Sequence, residues 1–159
     1  MKNNKCLRSG FTLIELLVVI AIIGILSSVV LVSLNVARGK GADAKVKAQL
    51  ANARASAEIY FDKNGYYNDT VTVGGDVDGT ILGCLTVNTM FQDVDSGMIQ
   101  YTDAANNYPG ATTIKCTSTA TEYAISASLH DAGEFWCVDS TGVSRSTDAL
   151  QADSTYVCL

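Results

Sequence analysis

The chain opens with a polar, basic decapeptide and then turns almost wholly apolar. Between Phe11 and Leu34 the only polar side chains are Thr12, Glu15, Ser27, Ser28 and Ser33. About 20 apolar residues let a helix cross the hydrocarbon core of a bilayer, so this run predicts a membrane-crossing helix. The pattern then changes period without losing helical character. Ala42, Val46, Leu50, Ala53, Ala57 and Tyr60 recur three or four positions apart, the spacing of one apolar stripe on an amphipathic helix. Asp43 and Lys47 form an acid-first pair four residues apart, expected on the solvent side. Asn64-Gly65 is a turn and C-cap signal. From Thr12 to Lys63 the two patterns predict one helix, about 78 Å long at about 1.5 Å per residue. Its second half needs a surface to cover its alanine-rich stripe.

Three glycines interrupt that helix: Gly24, Gly39 and Gly41. Each costs about 1 kcal/mol relative to alanine in a helix interior. Gly24 suits close helix packing or local melting in an assembly, and Gly39 and Gly41 flank Lys40 at a place suited to a bend or a frayed turn. Simple tolerance of glycine is the competing reading. Residues 66–112 are punctuated by glycine and carry the weakest periodicity, which predicts loop with short strands or a short helix near Thr86–Phe91. Tyr66 and Tyr67, directly after the turn, are expected to pack back onto the helix.

The strand signal is clearer further on. Residues 123–129 alternate with period two, placing Tyr123, Ile125, Ala127 and Leu129 on one face. His130-Asp131-Ala132-Gly133 reads as a turn, residues 135–138 as a strand, and Asp139-Ser140-Thr141-Gly142 as a second turn. Tyr156-Val157-Cys158 is expected as a last edge strand. The fold class is therefore α+β: one long N-terminal helix packed by one face against three or four antiparallel strands in a single head.

Charge orients this arrangement. The leader holds Lys2, Lys5 and Arg8 and no acid, which favours a cytoplasmic N-terminus and a head outside the membrane. Residues 1–10 hold three of the eleven basic residues and none of the sixteen acidic ones, so their removal leaves a net charge of −8. A surface that acidic does not suit general nucleic-acid binding, which needs Lys and Arg to neutralise phosphates. An ordinary secretory signal peptide fits poorly, because its apolar region spans only about 7–15 residues.

The residues from Arg8 to Leu26, with Gly10 before Phe11, Glu15 four residues later and an unbroken apolar helix after it, resemble the class III signal of type IV pilins and pseudopilins. The likeness is close through about position 34 and architectural beyond it. It implies a pilin-like fold and four stretches: a removable leader at 1–10, a membrane and assembly half of the helix at 11–34, an amphipathic half at 35–63, and a disulfide-containing β head at 64–159. It implies a prepilin peptidase that cuts between Gly10 and Phe11 and methylates the new amino group of Phe11. It also implies that Glu15 pairs with that amino group in an adjacent subunit. Many members of the family carry a proline later in the apolar segment, and this chain has none there.

Four cysteines follow the leader: Cys84, Cys116, Cys137 and Cys158. An even number suits an oxidising compartment. Three pairings are open, of which Cys84–Cys116 with Cys137–Cys158 is preferred. A zinc site is disfavoured by the absence of any C-x2-C pair and by a single histidine, His130. Asp76 and Asp78, then Asp93 and Asp95, resemble pieces of calcium loops. Neither piece is followed by a suitably spaced glutamate, so turns are the preferred reading and no metal or other cofactor is expected. His130 reads as a solvated loop residue and Trp136 as core or interface. Asn68-Asp69-Thr70 matches a glycosylation sequon only weakly. No phosphate loop, HExxH or nucleophile elbow is present, so assembly rather than catalysis is expected.

Three functions fit. The first is a structural subunit of a type IV pilus-like filament, serving adhesion, motility or DNA uptake. The second is a pseudopilin of type II secretion, and the third a membrane-anchored, non-polymerising surface binding module, against which Glu15 argues. The expected partners are copies of the chain itself, the prepilin peptidase, the assembly machinery and, before assembly, the lipid bilayer. The expected location is the cytoplasmic membrane as a single-pass subunit with its N-terminus inside, and then a cell-surface filament.

Overall fold

The computed structural model describes residues 11–68, 84–85, 89–103, 107–110, 112–149 and 156–158. Helix α1 (Leu13–Asn64) is one continuous element of 52 residues. A 3-10 turn (Met90–Gln92) and the short helix α2 (Ile99–Thr102) follow. Four strands complete the described chain: β1 (Ile114–Ser118), β2 (Tyr123–Ser128), β3 (Phe135–Asp139) and β4 (Ser144–Thr147). They form one antiparallel sheet in the order β1-β2-β3-β4. This is the α+β architecture that the apolar and alternating patterns predict. The chain divides into two compact units, residues 1–38 and 39–159.

The helix runs unbroken through Gly24, Gly39 and Gly41, so of the two readings of these glycines no frayed turn is found around Lys40 and tolerance within the helix agrees with the structure. It ends where Asn64-Gly65 signals. Gly65 takes φ 78°, a conformation that favours glycine, and its N–H reaches the Phe61 carbonyl at 2.7 Å. Tyr67 then folds back: its ring lies 4.7 Å from that of Phe61, and its hydroxyl donates to Glu58 at 2.9 Å. Burial and that bond push the Tyr67 phenol up to about 12.

The alanine-rich stripe enters the core of the head. Val46, Leu50, Ala53 and Ala57 are buried in one cluster with Ile114, Cys116, Tyr123, Ile125, Ala127 and Val138. Small alanines thus share the core with bulky side chains, of which Tyr123 and Phe91 are the largest that are fully buried. Asp43 and Lys47 do not point away from the head as their spacing suggested. Asp43 accepts the His130 backbone N–H at 2.6 Å, and the Lys47 ammonium stands 4.5 Å from the centroid of the Trp136 ring.

Two strands depart from expectation. Tyr156–Cys158 is not a strand, and the last strand among the described residues is instead Ser144–Thr147. The C-terminal residues are held by side-chain and covalent bonds and need no ladder of their own. β1 lies in a stretch, Ile114-Lys115-Cys116-Thr117-Ser118, whose apolar signal is slight. It is recruited by pairing Cys116 with Ile125 and Ser118 with Tyr123. The 3-10 turn at Met90–Gln92 overlaps the end of the short helix expected near Thr86–Phe91, and residues 86–88 lie outside the described ones.

Candidate processing and assembly segment

Thr12 and Glu15 organise the start of α1. Thr12 donates to Glu15 Oε2 through its backbone N–H at 2.8 Å and its hydroxyl at 2.6 Å, and the Glu15 N–H returns to Thr12 Oγ1 at 3.3 Å. This is a reciprocal capping box, in which a threonine before the helix and a glutamate three residues on satisfy each other's donors. The T-x-x-E spacing carried the signal, although the resemblance drew attention to Glu15 alone. Gly10 lies outside the described residues, so the junction is seen from the Phe11 side only.

Every residue from 11 to 38 is exposed, including Phe11 at 83% and Leu13 at 80%. An 18-residue stretch of the helix reaches a mean hydropathy of 3.0 with none of it buried. Two of its three serine hydroxyls bond back to the helix. Ser28 donates to the Ile25 carbonyl at 2.7 Å and Ser33 to the Val29 carbonyl at 3.2 Å, which removes the cost of bare hydroxyls in an apolar medium. Within 4 Å of a Cβ built on Gly24 there is nothing. The segment is thus a largely apolar cylinder with one carboxylate near its tip.

The head is built differently. The cysteines bond as Cys84–Cys116 and Cys137–Cys158. Cys116 belongs to the core face of the sheet, and Cys137 to the opposite face with Ala124, Ser126 and Asp139. The second disulfide therefore brings the C-terminal residues over the outer face. Asp139 is fully buried there. Burial alone would raise its pKa, but donors from Cys158, Thr141 and Val143 outweigh it and hold the carboxyl below the ordinary value. The sequence reading placed Asp139 at the start of a turn and gave it no further role. Its offset of two from Thr141 and four from Val143 marks an Asx-type turn, the one local hint available.

Of the four residues singled out for calcium, the structure describes Asp93 and Asp95. Asp76 and Asp78 lie outside the described residues. Asp95 pairs with the Lys63 ammonium, which holds its carboxyl below the usual range, and Asp93 accepts the Ser96 N–H at 2.7 Å. Both carboxylates thus already have partners. Among the described residues no group of three or more His, Cys, Asp or Glu side chains could hold a metal ion. Asn68 of the sequon is only 1% exposed, which leaves a folded head no room for a glycan at that nitrogen.

Residues 6–31 match the prokaryotic N-terminal methylation motif. Over 67 residues, 42% of this chain, the sequence is 48% identical to the type IV wide pilus major component PilA4 of Thermus thermophilus. The chain spans about half the length of that relative, 48% of it. No solved structure matches it. The resemblance to type IV pilins rests on both the motif and this relative, and the α+β architecture agrees with it.

Proposed function

We propose that this chain, with a methylation motif at its start and a pilin-like α+β fold, is a structural subunit of a type IV pilus-like filament. The observation that carries the reading is the exposed apolar cylinder from Phe11 to Val36 with its single acid, Glu15. In a bilayer lipid covers that surface. In a filament neighbouring copies cover it, so assembly exchanges lipid contacts for protein contacts.

Glu15 supplies what greasiness cannot, a register. A carboxylate at membrane depth costs roughly 2.5–3.5 kcal/mol by insertion scales, and pairing offsets that cost most effectively in a low dielectric. The partner is the amino group freed at Phe11 of the adjacent subunit once peptidase cleavage has removed Gly10. Cleavage then acts twice: it removes three basic side chains that hold the N-terminus inside, and it creates the amine. The capping box keeps Glu15 hydrogen-bonded within its own subunit until the neighbour arrives. The bonded cysteines suit the head to an exposed surface.

The test is to shear surface filaments from the native cells, image them by electron microscopy and sequence their main subunit by mass spectrometry. A dominant peptide beginning with methylated Phe11 is the expected result. Retention of the chain in the membrane fraction, with no filament containing it, sinks the pilus reading and favours the secretion pseudopilin. Glu15→Ala is expected to be cleaved normally and to yield few filaments; normal yield removes Glu15 from the mechanism.

A further inference from the structure

Gly39 is the first buried residue of α1, and every described residue before it is exposed. A Cβ placed on Gly39 would lie 2.8 Å from His130 Nδ1, 3.0 Å from Cε1 and 3.1 Å from Cγ. The imidazole, whose side chain is 57% exposed, thus lies against the helix backbone in space that a methyl group on Gly39 could enter only if the ring moved aside. One helical turn further along the same face, Asp43 accepts the His130 backbone N–H at 2.6 Å. The turn that carries His130 is itself held. Leu129 N–H reaches the Glu134 carbonyl at 2.8 Å, Glu134 N–H reaches the Asp131 carbonyl at 3.1 Å, and Gly133 takes φ 85°. Asp131 Oδ1 stands 3.4 Å from the imidazole Nδ1.

From this geometry we infer that Gly39, Asp43 and His130 form a latch that fixes where the head's grip on α1 begins. Asp43 anchors the backbone of the β2–β3 turn to the helix, and that anchor delivers the ring to Gly39. Relief of a clash at Gly39 would have to come from rotation of the imidazole, because its own backbone is tied down. Gly39 is here a docking surface, and its low helix propensity is the cost of making it one. On the filament reading, the latch also sets how much helix is left uncovered for neighbouring copies. His130 acts as a positioning residue.

The sign of one substitution decides the matter. Alanine is the better helix former, so without the latch Gly39→Ala would slow hydrogen exchange of the surrounding amides. With the latch it would displace the imidazole and speed exchange. The experiment is hydrogen–deuterium exchange on the full chain in detergent micelles, for Gly39→Ala, His130→Ala and the double variant, read over residues 37–45. The expected result is several-fold faster exchange in Gly39→Ala than in the parent, with no such acceleration when alanine is added to His130→Ala. Unchanged or slower exchange in Gly39→Ala overturns the latch. If Gly39→Ala fails to fold, rescue by His130→Ala supports the latch, and failure of the double variant overturns it. Filament yield from the same variants is a separate readout. Altered exchange with undiminished yield refutes the assembly role, whereas loss of filaments from the parent chain itself would concern the pilus reading.

Discussion

The Asp139 carboxylate and the Cys158 backbone tie the C-terminus to the outer face of the sheet. Oδ2 accepts the Cys158 N–H at 2.7 Å, while Oδ1 accepts the Thr141 N–H at 3.0 Å, the Thr141 hydroxyl at 2.7 Å and the Val143 N–H at 3.1 Å. One buried acid thus closes the β3–β4 turn with one oxygen and docks the last residues with the other. The disulfide to Cys137, two residues before Asp139, holds the same segment covalently.

Asp139 makes the head acid-sensitive. Its folded pKa is depressed, so the stability it contributes is complete above the unfolded value of about 3.9 and is lost as pH falls through the folded value. Asp139→Asn puts an N–H2 where an acceptor is needed and is expected to cost about 2–3 kcal/mol at pH 7. Urea melts of both proteins at neutral pH and near pH 3 check this. The gap between them should shrink on acidification.

Opening the Cys137–Cys158 bond frees the tail from its second anchor. The bond spans 21 residues, and the double change Cys137→Ser with Cys158→Ser is expected to cost about 3 kcal/mol by loop-closure entropy. Thermal unfolding gives the magnitude. Limited proteolysis should show cleavage near the C-terminus while the Cys84–Cys116 bond remains intact.

Leu50 is fully buried at the centre of the helix stripe. Leu50→Ala is expected to cost about 2–5 kcal/mol, since close neighbours on the helix and the sheet cannot collapse fully into the space. In a urea titration the midpoint should fall with an unchanged slope. A changed slope would mean that the packing of the head had been lost altogether.

Arg54 reaches from the helix to the far edge of the sheet. Its Nη2 donates to the Val143 carbonyl at 2.7 Å and to Ser144 Oγ at 2.9 Å. Because this bond is near solvent, Arg54→Met is expected to cost only about 1 kcal/mol overall. Hydrogen exchange should nevertheless quicken selectively in β4, whose four side chains contribute little burial of their own.

Legibility in the sequence followed how local each signal was. The stripe from Val46 to Ala57 could be read because a helix repeats its buried face every three or four residues, and β2 because Tyr123, Ile125 and Ala127 alternate on the core side. β4 was missed because Ser144-Arg145-Ser146-Thr147 is an exposed edge strand with no apolar alternation to detect; its pairing with β3 places it. β1 was missed for a related reason: Thr117 and Ser118 are buried, and buried polar residues contradict the expectation that alternation encodes. The Thr12–Glu15 box was legible and overlooked, because attention rested on the acid and not on its local partner.

The sequence by itself determined the membrane-length apolar run, the position of its one acid, the period of the helix and its stop at Gly65. These depend on neighbours within a few residues, and side-chain chemistry with backbone geometry suffices to read them. Only the tertiary structure decided which cysteines bond, why Asp139 is buried, and that Gly39 lies beneath His130. Each of those depends on strand register and on the path of the turns, which bring together residues up to 91 positions apart that no local pattern relates.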